Sequence, residues 1–130
     1  MKTVLLVDDD RDCLTTLGED LNRIGYNVLA ETRGRAALTL LTGGTAVGAV
    51  ITECSLMDMD GAEFLGALRH HAPSAPIIVL TAHGTVENYL QCLNLGVFEY
   101  THKPLPPKEL ERIVAAAFGA RLDLPGKELA

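Results

Sequence analysis

Several short strand-like segments of the chain, most of them apolar, end on side chains that could do chemistry together. Two of these side chains are adjacent carboxylates, and the others are a further carboxylate, a hydroxyl and a lysine. Carboxylate oxygens are ligands that Mg²⁺ accepts, and hydroxyl and ammonium groups bind phosphoryl oxygens. The sequence therefore indicates a site for a divalent cation and a phosphoryl group, provided that the segments lie side by side. The residues are Asp8 and Asp9 after VLLV, Glu53 after AVIT, Thr81 after IIVL and Lys103 after EYTH.

The segments that carry these side chains alternate with segments of helical periodicity. Leu14, Leu17, Leu21 and Ile24 repeat at spacings of three and four, which is typical of one apolar helix face. VLLV and IIVL lack polar alternation, as strands do when helices cover both faces of the sheet. The pattern predicts an α/β fold with a doubly wound parallel sheet, whose carboxyl ends bind ligands. Strands are predicted at about 3–7, 27–30, 48–52, 76–80 and 97–101, and helices at about 14–24, 36–41, 64–68, 86–93 and 110–118.

The order of these motifs resembles the receiver domain of bacterial response regulators, of the chemotaxis-regulator type. This is the phospho-accepting module of two-component phosphorelay signal transduction. The resemblance covers residues 2 to about 119 and implies a flavodoxin-like (βα)5 fold with strand order 2-1-3-4-5. Right-handed crossovers favour the same order. We expect a receiver domain at 1–119 and a tail or the beginning of a linker at 120–130.

The resemblance implies a role for each residue of the site. Asp9 would bind Mg²⁺ directly, Asp8 would help through water, and the backbone carbonyl of Ser55 would complete the set. The Thr81 hydroxyl would bind a phosphoryl oxygen, and Lys103 would neutralise the charge of the phosphoryl group.

The resemblance also implies a conformational switch. Tyr100 matches the family's aromatic switch residue, which moves inward when the hydroxyl residue, here Thr81, shifts toward a phosphoryl group. A half-buried strand tyrosine with its hydroxyl in water is the open alternative. The family also has a cis peptide bond before the proline that follows the lysine, here Lys103-Pro104.

Glu53 departs from the family pattern, which has an aspartate as phospho-acceptor at this position. Glutamate adds one methylene, roughly 1.5 Å of reach. A misplacement of about 1 Å can cost on the order of 100-fold in rate. We therefore expect an atypical receiver that is a poor phospho-acceptor, with at most a weak magnesium site.

The longer side chain brings the Glu53 carboxylate toward Thr81 and Lys103, and we expect a direct ion pair between Glu53 and Lys103. Two outcomes remain open. The pair inactivates the site, or the carboxylate copies part of the phosphorylated state with about one charge instead of nearly two.

Composition restricts the function without identifying it. The chain has 17 Asp and Glu against 11 Lys and Arg, a net charge of −6, which argues against direct binding of nucleic acid. It contains no apolar run of membrane-spanning length and no signal-peptide pattern. The three cysteines, Cys13, Cys54 and Cys92, are scattered, which is typical of structural thiols in a reducing compartment. We expect a cytoplasmic protein.

Two other classes share parts of the pattern. Haloacid-dehalogenase-type phosphatases would use Asp8 and Asp10, with Thr81 as the hydroxyl and Lys103 as the base. That class needs a further acidic pair after the lysine and usually a cap domain, which this sequence does not supply. A flavin-binding module shares the fold, but three aspartates after the first strand would repel the phosphate of the flavin.

We therefore expect a signalling module and not an enzyme. The resemblance implies a sensor histidine kinase or a phosphotransfer protein as the upstream partner. It implies a downstream protein or an output domain that contacts the face formed by the fourth helix, fifth strand and fifth helix. The same face is a candidate homodimer interface.

Overall fold

The computed structural model describes residues 2–122, and side chains as far as residue 120. Five parallel strands form one sheet in the order β2-β1-β3-β4-β5, with helices between them in strict alternation. The predicted fold class and strand order are confirmed. The predicted tail at 120–130 lies mostly outside the described residues, so that boundary remains a prediction. The elements are β1 Thr3–Val7, α1 Arg11–Arg23, β2 Asn27–Glu31, α2 Gly34–Thr42, β3 Ala49–Thr52, α3 Gly61–His71, β4 Ile77–Thr81, α4 Val86–Asn94, β5 Glu99–His102 and α5 Pro107–Leu122.

The three central strands are buried because their side chains are apolar on both faces of the sheet. One core cluster joins them to α1 and α5, and a second joins them to α2, α3 and α4. Val4 and Leu6 point into the first cluster, and Leu5 and Val7 into the second. The absence of polar alternation in VLLV therefore has the predicted cause, burial on both sides.

β4 and β5 begin later than predicted, for reasons of hydrogen bonding. Pro76 has no backbone N–H to donate to the sheet, and β4 starts at Ile77. The Val97 N–H donates to the carbonyl of Cys92 and so closes the end of α4 instead of joining the sheet. The Phe98 N–H is the first to donate to β4, at the Ile77 carbonyl, and β5 runs from Glu99 to His102.

The sheet register brings the carboxyl ends of the strands to one edge. The Glu53 N–H donates to the Val7 carbonyl at 3.0 Å, which places Glu53 beside the residues that follow β1. The Lys103 N–H donates to the Thr81 carbonyl at 2.9 Å, so the end of β5 lies beside the end of β4. The edge thus collects side chains that are far apart in the sequence.

Asp10 begins α1 by capping it. Its side chain accepts hydrogen bonds from the backbone N–H groups of Asp12 and Cys13. This is an ordinary structural role, and it leaves the other two aspartates of the triplet available to the sheet edge.

Across the described residues, no helix combines the length and apolar character that crossing a membrane requires.

Candidate functional site

Lys103 lies between two buried carboxylates at the edge of the sheet. Its Nζ is 2.7 Å from Asp8 Oδ2 and 3.3 Å from Glu53 Oε2. Burial works against the charged ammonium, but the hydrogen bond and charge of Asp8 and the charge of Glu53 hold the pKa of Lys103 above its usual range. The predicted ion pair between Glu53 and Lys103 is confirmed, although the Asp8 carboxylate makes the closer contact.

The Glu53 carboxylate has hydrogen-bond partners on both oxygens. Oε1 accepts from the Cys54 N–H at 2.8 Å, and Oε2 accepts from the Ala82 N–H at 3.3 Å. Burial would raise the pKa of Glu53, but the nearby Thr81 hydroxyl, these two amides and Lys103 outweigh it and lower the pKa. The group is therefore ionised and fixed in the corner between Ala82 and Lys103.

The Thr81 hydroxyl is buried beside Glu53, and its oxygen also accepts from two other groups. Its Oγ1 lies 3.4 Å from the Cys54 Sγ and accepts from the His83 N–H at 3.2 Å. Among the described residues, no hydrogen bond of ordinary geometry joins this hydroxyl to the Glu53 carboxylate. Cys54 was not singled out from the sequence. Its position directly after Glu53 was the only signal, and a cysteine there has no characteristic pattern.

The acidic corner of the site fits magnesium only in part. Asp8 Oδ1 accepts from the Asp10 N–H at 2.9 Å and Oδ2 binds Lys103, so both of its oxygens are in use. Asp9 is half-buried beside it. Within residues 2–122, no three acidic, histidine or cysteine side chains converge as a metal cluster, and Glu53 turns toward Ala82 and Lys103 instead.

Mg²⁺ retains several waters, so one or two carboxylates and a backbone carbonyl are enough to hold it weakly. Asp9, Asp8 and the carbonyl of Ser55 therefore remain the predicted ligand set. The site would lack the third carboxylate that the family's aspartate supplies.

Tyr100 points inward from β5. Its ring packs against the core cluster on the α3 and α4 side, and its Oη is buried without a hydrogen-bond partner among the described residues. The ring meets those of Tyr89 and His102 edge to face, with centroids 5.3 and 5.6 Å away. Gly84 covers the hydroxyl, since a Cβ built there would lie 2.5 Å from Oη. The alternative in which the hydroxyl lies in water is therefore wrong.

The β3–α3 loop, residues 53–60, is anchored to α2 by Asp58. The two oxygens of Asp58 accept from the N–H groups of Gly34 and Arg35, each at 2.9 Å. The residue before α2, Arg33, makes no side-chain cap within the described chain, so Asp58 caps this helix from a neighbouring loop. Met57 in the same loop is 76% exposed. The sequence did not indicate this cap, because Asp58 lies more than 20 residues after the amides that it binds.

Comparison with known proteins gives a consistent result. Residues 4–115 match the family model described as the response regulator receiver domain. The response regulator protein FleR of Pseudomonas aeruginosa is 34% identical over 126 residues, which are 96% of this chain and 26% of that protein. The transcriptional regulatory protein GlrR of Escherichia coli K12 is 32% identical over 111 residues, 85% of this chain and 25% of its own length. The chain thus spans about a quarter of the length of these relatives.

Solved structures show the same similarity. A CheY-like response regulator receiver domain protein from Methanospirillum hungatei JF-1 superposes with a TM-score of 0.90 at 25% identity, covering 95% of this chain and 98% of that one. The signal receiver domain of an HD domain-containing protein from Pseudomonas fluorescens Pf-5 gives a TM-score of 0.88 at 27% identity, with the same coverage. The phosphatase alternative finds no support in these comparisons.

Proposed function

Because this chain belongs to the response regulator receiver domain family, the signalling modules of two-component systems, we propose that it signals with the Glu53 carboxylate in place of a phosphoryl group. One observation carries the proposal. Glu53 Oε2 lies 3.3 Å from both the Ala82 N–H nitrogen and the Lys103 ammonium, donors suited to binding phosphoryl oxygens.

The same geometry makes phosphotransfer to Glu53 unfavourable. Attack on a phosphorus atom requires a carboxylate oxygen in line with it at about 3–3.5 Å. Oε2 is already on the donors that the incoming group would need, and Oε1 is bound to the Cys54 amide. Phosphotransfer would require the carboxylate to leave both positions. The chain would therefore act as a signalling module independent of a phosphodonor, and not as an enzyme.

The carboxylate would be an incomplete substitute for a phosphoryl group. It carries one charge and two acceptor oxygens, against nearly two charges and three oxygens. Asp8 also takes the closer contact with Lys103. The inward position of Tyr100 favours the partly active outcome over an inactive site, since the family's switch residue is inward in the active state.

The proposed output surface is formed by α4, β5 and α5. Three apolar side chains of α4 lie on it with large exposed fractions, 76% for Val86, 53% for Leu90 and 48% for Leu93. Receiver domains of response regulators interact with histidine kinases or phosphotransfer proteins and with output domains. For this chain, we assign such a partner, or a second copy, to this face.

We also propose that residues 1–119 form the receiver domain and that the protein is located in the cytoplasm.

We predict weak magnesium binding, because the third carboxylate faces Lys103 and Ala82 instead of Asp9. When bound, Mg²⁺ would supply charge neutralisation at the Asp8 and Asp9 corner. The measurement is a Mg²⁺ titration followed by amide NMR signals near Asp9, with Ca²⁺ as a size control. We expect a dissociation constant in the millimolar range or weaker, on the scale of sites with few carboxylates, about 10⁻³ M. Saturation at tens of micromolar would show an intact three-carboxylate site and contradict the prediction.

The replacement Glu53→Asp tests the proposed function. Removal of one methylene, roughly 1.5 Å, withdraws the carboxylate from Ala82 and Lys103 and returns its oxygen to attacking distance. We expect no mass gain for the wild type with a small acyl-phosphate donor and Mg²⁺, and a reactive variant, a difference on the order of 100-fold or more in rate.

The matched control is Glu63→Asp, the same chemical change at an exposed position of α3, which should stay unreactive. A wild type that gains a phosphoryl group as readily as Glu53→Asp would show that Glu53 is a working acceptor. That result would overturn the proposed function.

A further inference from the structure

The helix α4, which carries part of the proposed output surface, is packed on the domain mainly at its C-terminal end. Cys92 is its one buried side chain in the described structure, and it belongs to the second core cluster. Leu95 and Val97, which follow the helix, pack against the same cluster. Val86 and Leu90, which precede Cys92, are exposed. The core contacts of α4 therefore lie at and beyond its last turn.

The N-terminal half of α4 has weaker contacts. The Thr85 side chain caps this half by accepting from the Asn88 N–H at 3.1 Å, a bond within the segment itself. The exposed Tyr89 ring meets that of Tyr100 edge to face. Neither of these two contacts joins the backbone of this half to another element. A cavity of about 500 Å³ also lies between the β3–α3 loop and the helix, where Asn88 and Gln91 line it. The N-terminal half of α4 therefore has space to move.

Arg69, in the last turn of α3, binds the backbone at the C-terminal end of α4. Its Nη2 donates to the Gly96 carbonyl at 2.6 Å, and its Nη1 donates to the Pro73 carbonyl at 3.4 Å. Gly96 lies in the turn that ends α4 and has a φ of +76°, which glycine adopts readily. Hydrogen bonds from a charged donor are stronger than those between neutral groups. One guanidinium thus joins α3, the α3–β4 loop and the end of α4.

We infer that Arg69 is a positioning residue that fixes the C-terminal end of α4, so that the helix moves by pivoting about this end. This rests on the proposed function, in which α4 belongs to the output surface. The β4–α4 loop, residues 82–85, leads directly into the opposite end of the helix, and its Ala82 N–H donates to Glu53. A change at Glu53 therefore displaces the N-terminal half of α4 and leaves the contact between Arg69 and Gly96 in place.

The first test is amide hydrogen exchange in the variant Arg69→Met, which keeps an aliphatic stem and removes the donors. In the wild type, the Leu95 N–H should be better protected than the Tyr89 N–H; these amides donate to carbonyls near opposite ends of α4. In Arg69→Met, Leu95 protection should fall about tenfold, on the scale of one charge-assisted hydrogen bond. Tyr89 protection should stay unchanged, because its half of the helix opens without breaking the Arg69 contact.

The second test displaces the N-terminal end of α4 with Gly84→Ala. A Cβ at Gly84 would lie 2.5 Å from Tyr100 Oη, so the loop or the ring has to shift. In Gly84→Ala, the amide chemical shifts of residues 86–90 should change while that of Leu95 remains. When Gly84→Ala is added to Arg69→Met, the change should extend to Leu95, measured against Arg69→Met alone.

Two further variants serve as controls. Arg112→Met is the same chemical change on α5, where Arg112 is exposed and pairs with Glu109 at 2.7 Å. It should leave the exchange of α4 amides as it is. Arg69→Lys keeps a positive charge at the end of α3 but presents one compact ammonium instead of a planar fork of donors. Its Leu95 protection should lie between those of the wild type and Arg69→Met.

Unchanged Leu95 protection in Arg69→Met would overturn the inference. Equal losses at Leu95 and Tyr89 would do so too, because α4 would then open as one body. A third contrary result is a Gly84→Ala variant that shifts the Leu95 signal as strongly as those of residues 86–90 while Arg69 is present. All of these measurements are made without a phosphodonor. A wild type that accepts a phosphoryl group would overturn the proposed function, and the exchange data would still decide the role of Arg69.

Discussion

The two loops that border the crevice are fixed in different ways. The β3–α3 loop has a backbone contact with the start of α3, where Gly61 packs directly on the Cys54 carbonyl, and its Asp58 side chain binds two amides of α2. The β4–α4 loop, residues 82–85, is held mostly through the ends of side chains. Gly84 lies against the Tyr100 hydroxyl and the His102 ring.

The difference indicates which loop can move. The contact of Gly61 with the Cys54 carbonyl cannot be relieved without shifting a whole segment, whereas the far end of a side chain such as Tyr100 can rotate away. The Tyr100 hydroxyl is also buried without a partner in the described structure, and an unsatisfied polar group of this kind costs about 1–3 kcal/mol. We therefore interpret the β3–α3 loop as the fixed side of the crevice and the β4–α4 loop as the side that responds.

The comparison is tested most strongly by adding a methyl group at the first residue of α3, which packs on the backbone of the fixed loop. A Cβ at Gly61 would lie 2.0 Å from the Cys54 carbonyl oxygen and 3.1 Å from its carbon. We expect Gly61→Ala to lower the free energy of unfolding by about 3 kcal/mol, at the upper end for overpacking, as measured by urea denaturation.

Gly66 provides the matched control in the same helix. It is exposed in the middle of α3, and a Cβ there meets nothing within 4 Å. Gly66→Ala should raise stability by about 0.5–1 kcal/mol because alanine is the better helix former. If Gly61→Ala and Gly66→Ala are equally stable, the β3–α3 loop can shift as easily as the β4–α4 loop.

The same substitution in the β4–α4 loop should have a smaller effect on stability and a larger one on conformation. A Cβ at Gly84 would lie 2.5 Å from Tyr100 Oη and 2.7 Å from His102 Nε2, both at the ends of side chains. We expect Gly84→Ala to cost about 1 kcal/mol and to displace the Tyr100 ring. The measurement is the loss of NOEs between the rings of Tyr100 and Tyr89, whose centroids are 5.3 Å apart. If Gly84→Ala retains these NOEs and lowers the free energy of unfolding as much as Gly61→Ala does, the contrast between the two loops is wrong.

The fold and the site residues at the carboxyl ends of the strands could be predicted from the sequence, because both depend on local patterns. Apolar runs and helical spacing predicted all five strands, and the site residues followed from their place after those runs. The implied cis bond is present at Lys103-Pro104. The predicted Glu53–Lys103 pair required only the length of the glutamate side chain.

The features that distinguish the two loops were not predictable in this way. The Asp58 cap and the contact between Cys54 and Thr81 join residues 23 to 27 positions apart whose types carry no pattern. The closer pairing of Lys103 with Asp8 depends on tenths of an ångström in side-chain placement. Such contacts are decided by packing in three dimensions, which a single sequence does not display.

The smallest expected effect is a gain in stability, and it tests the energetic cost assigned to the buried Tyr100 hydroxyl. Tyr100→Phe removes the buried hydroxyl that has no hydrogen-bond partner among the described residues while keeping the ring. We expect the free energy of unfolding to rise by about 0.5–1 kcal/mol, because an unmade hydrogen bond no longer has to be buried. The control is Tyr26→Phe, a half-buried tyrosine that stacks on Phe118 and should change stability little.

The pH dependence of the stability difference between Tyr100→Phe and the wild type gives a second measurement. Burial raises the pKa of the Tyr100 phenol, with further contributions from nearby Cys54 and Cys92. A group whose pKa is higher in the folded state contributes stability below its unfolded pKa, about 10, and loses it as the pH rises further. The advantage of Tyr100→Phe should therefore grow above pH 10. If Tyr100→Phe is less stable than the wild type at neutral pH, the hydroxyl has a partner that stabilises it, and the β4–α4 loop is as firmly fixed as the loop across the crevice.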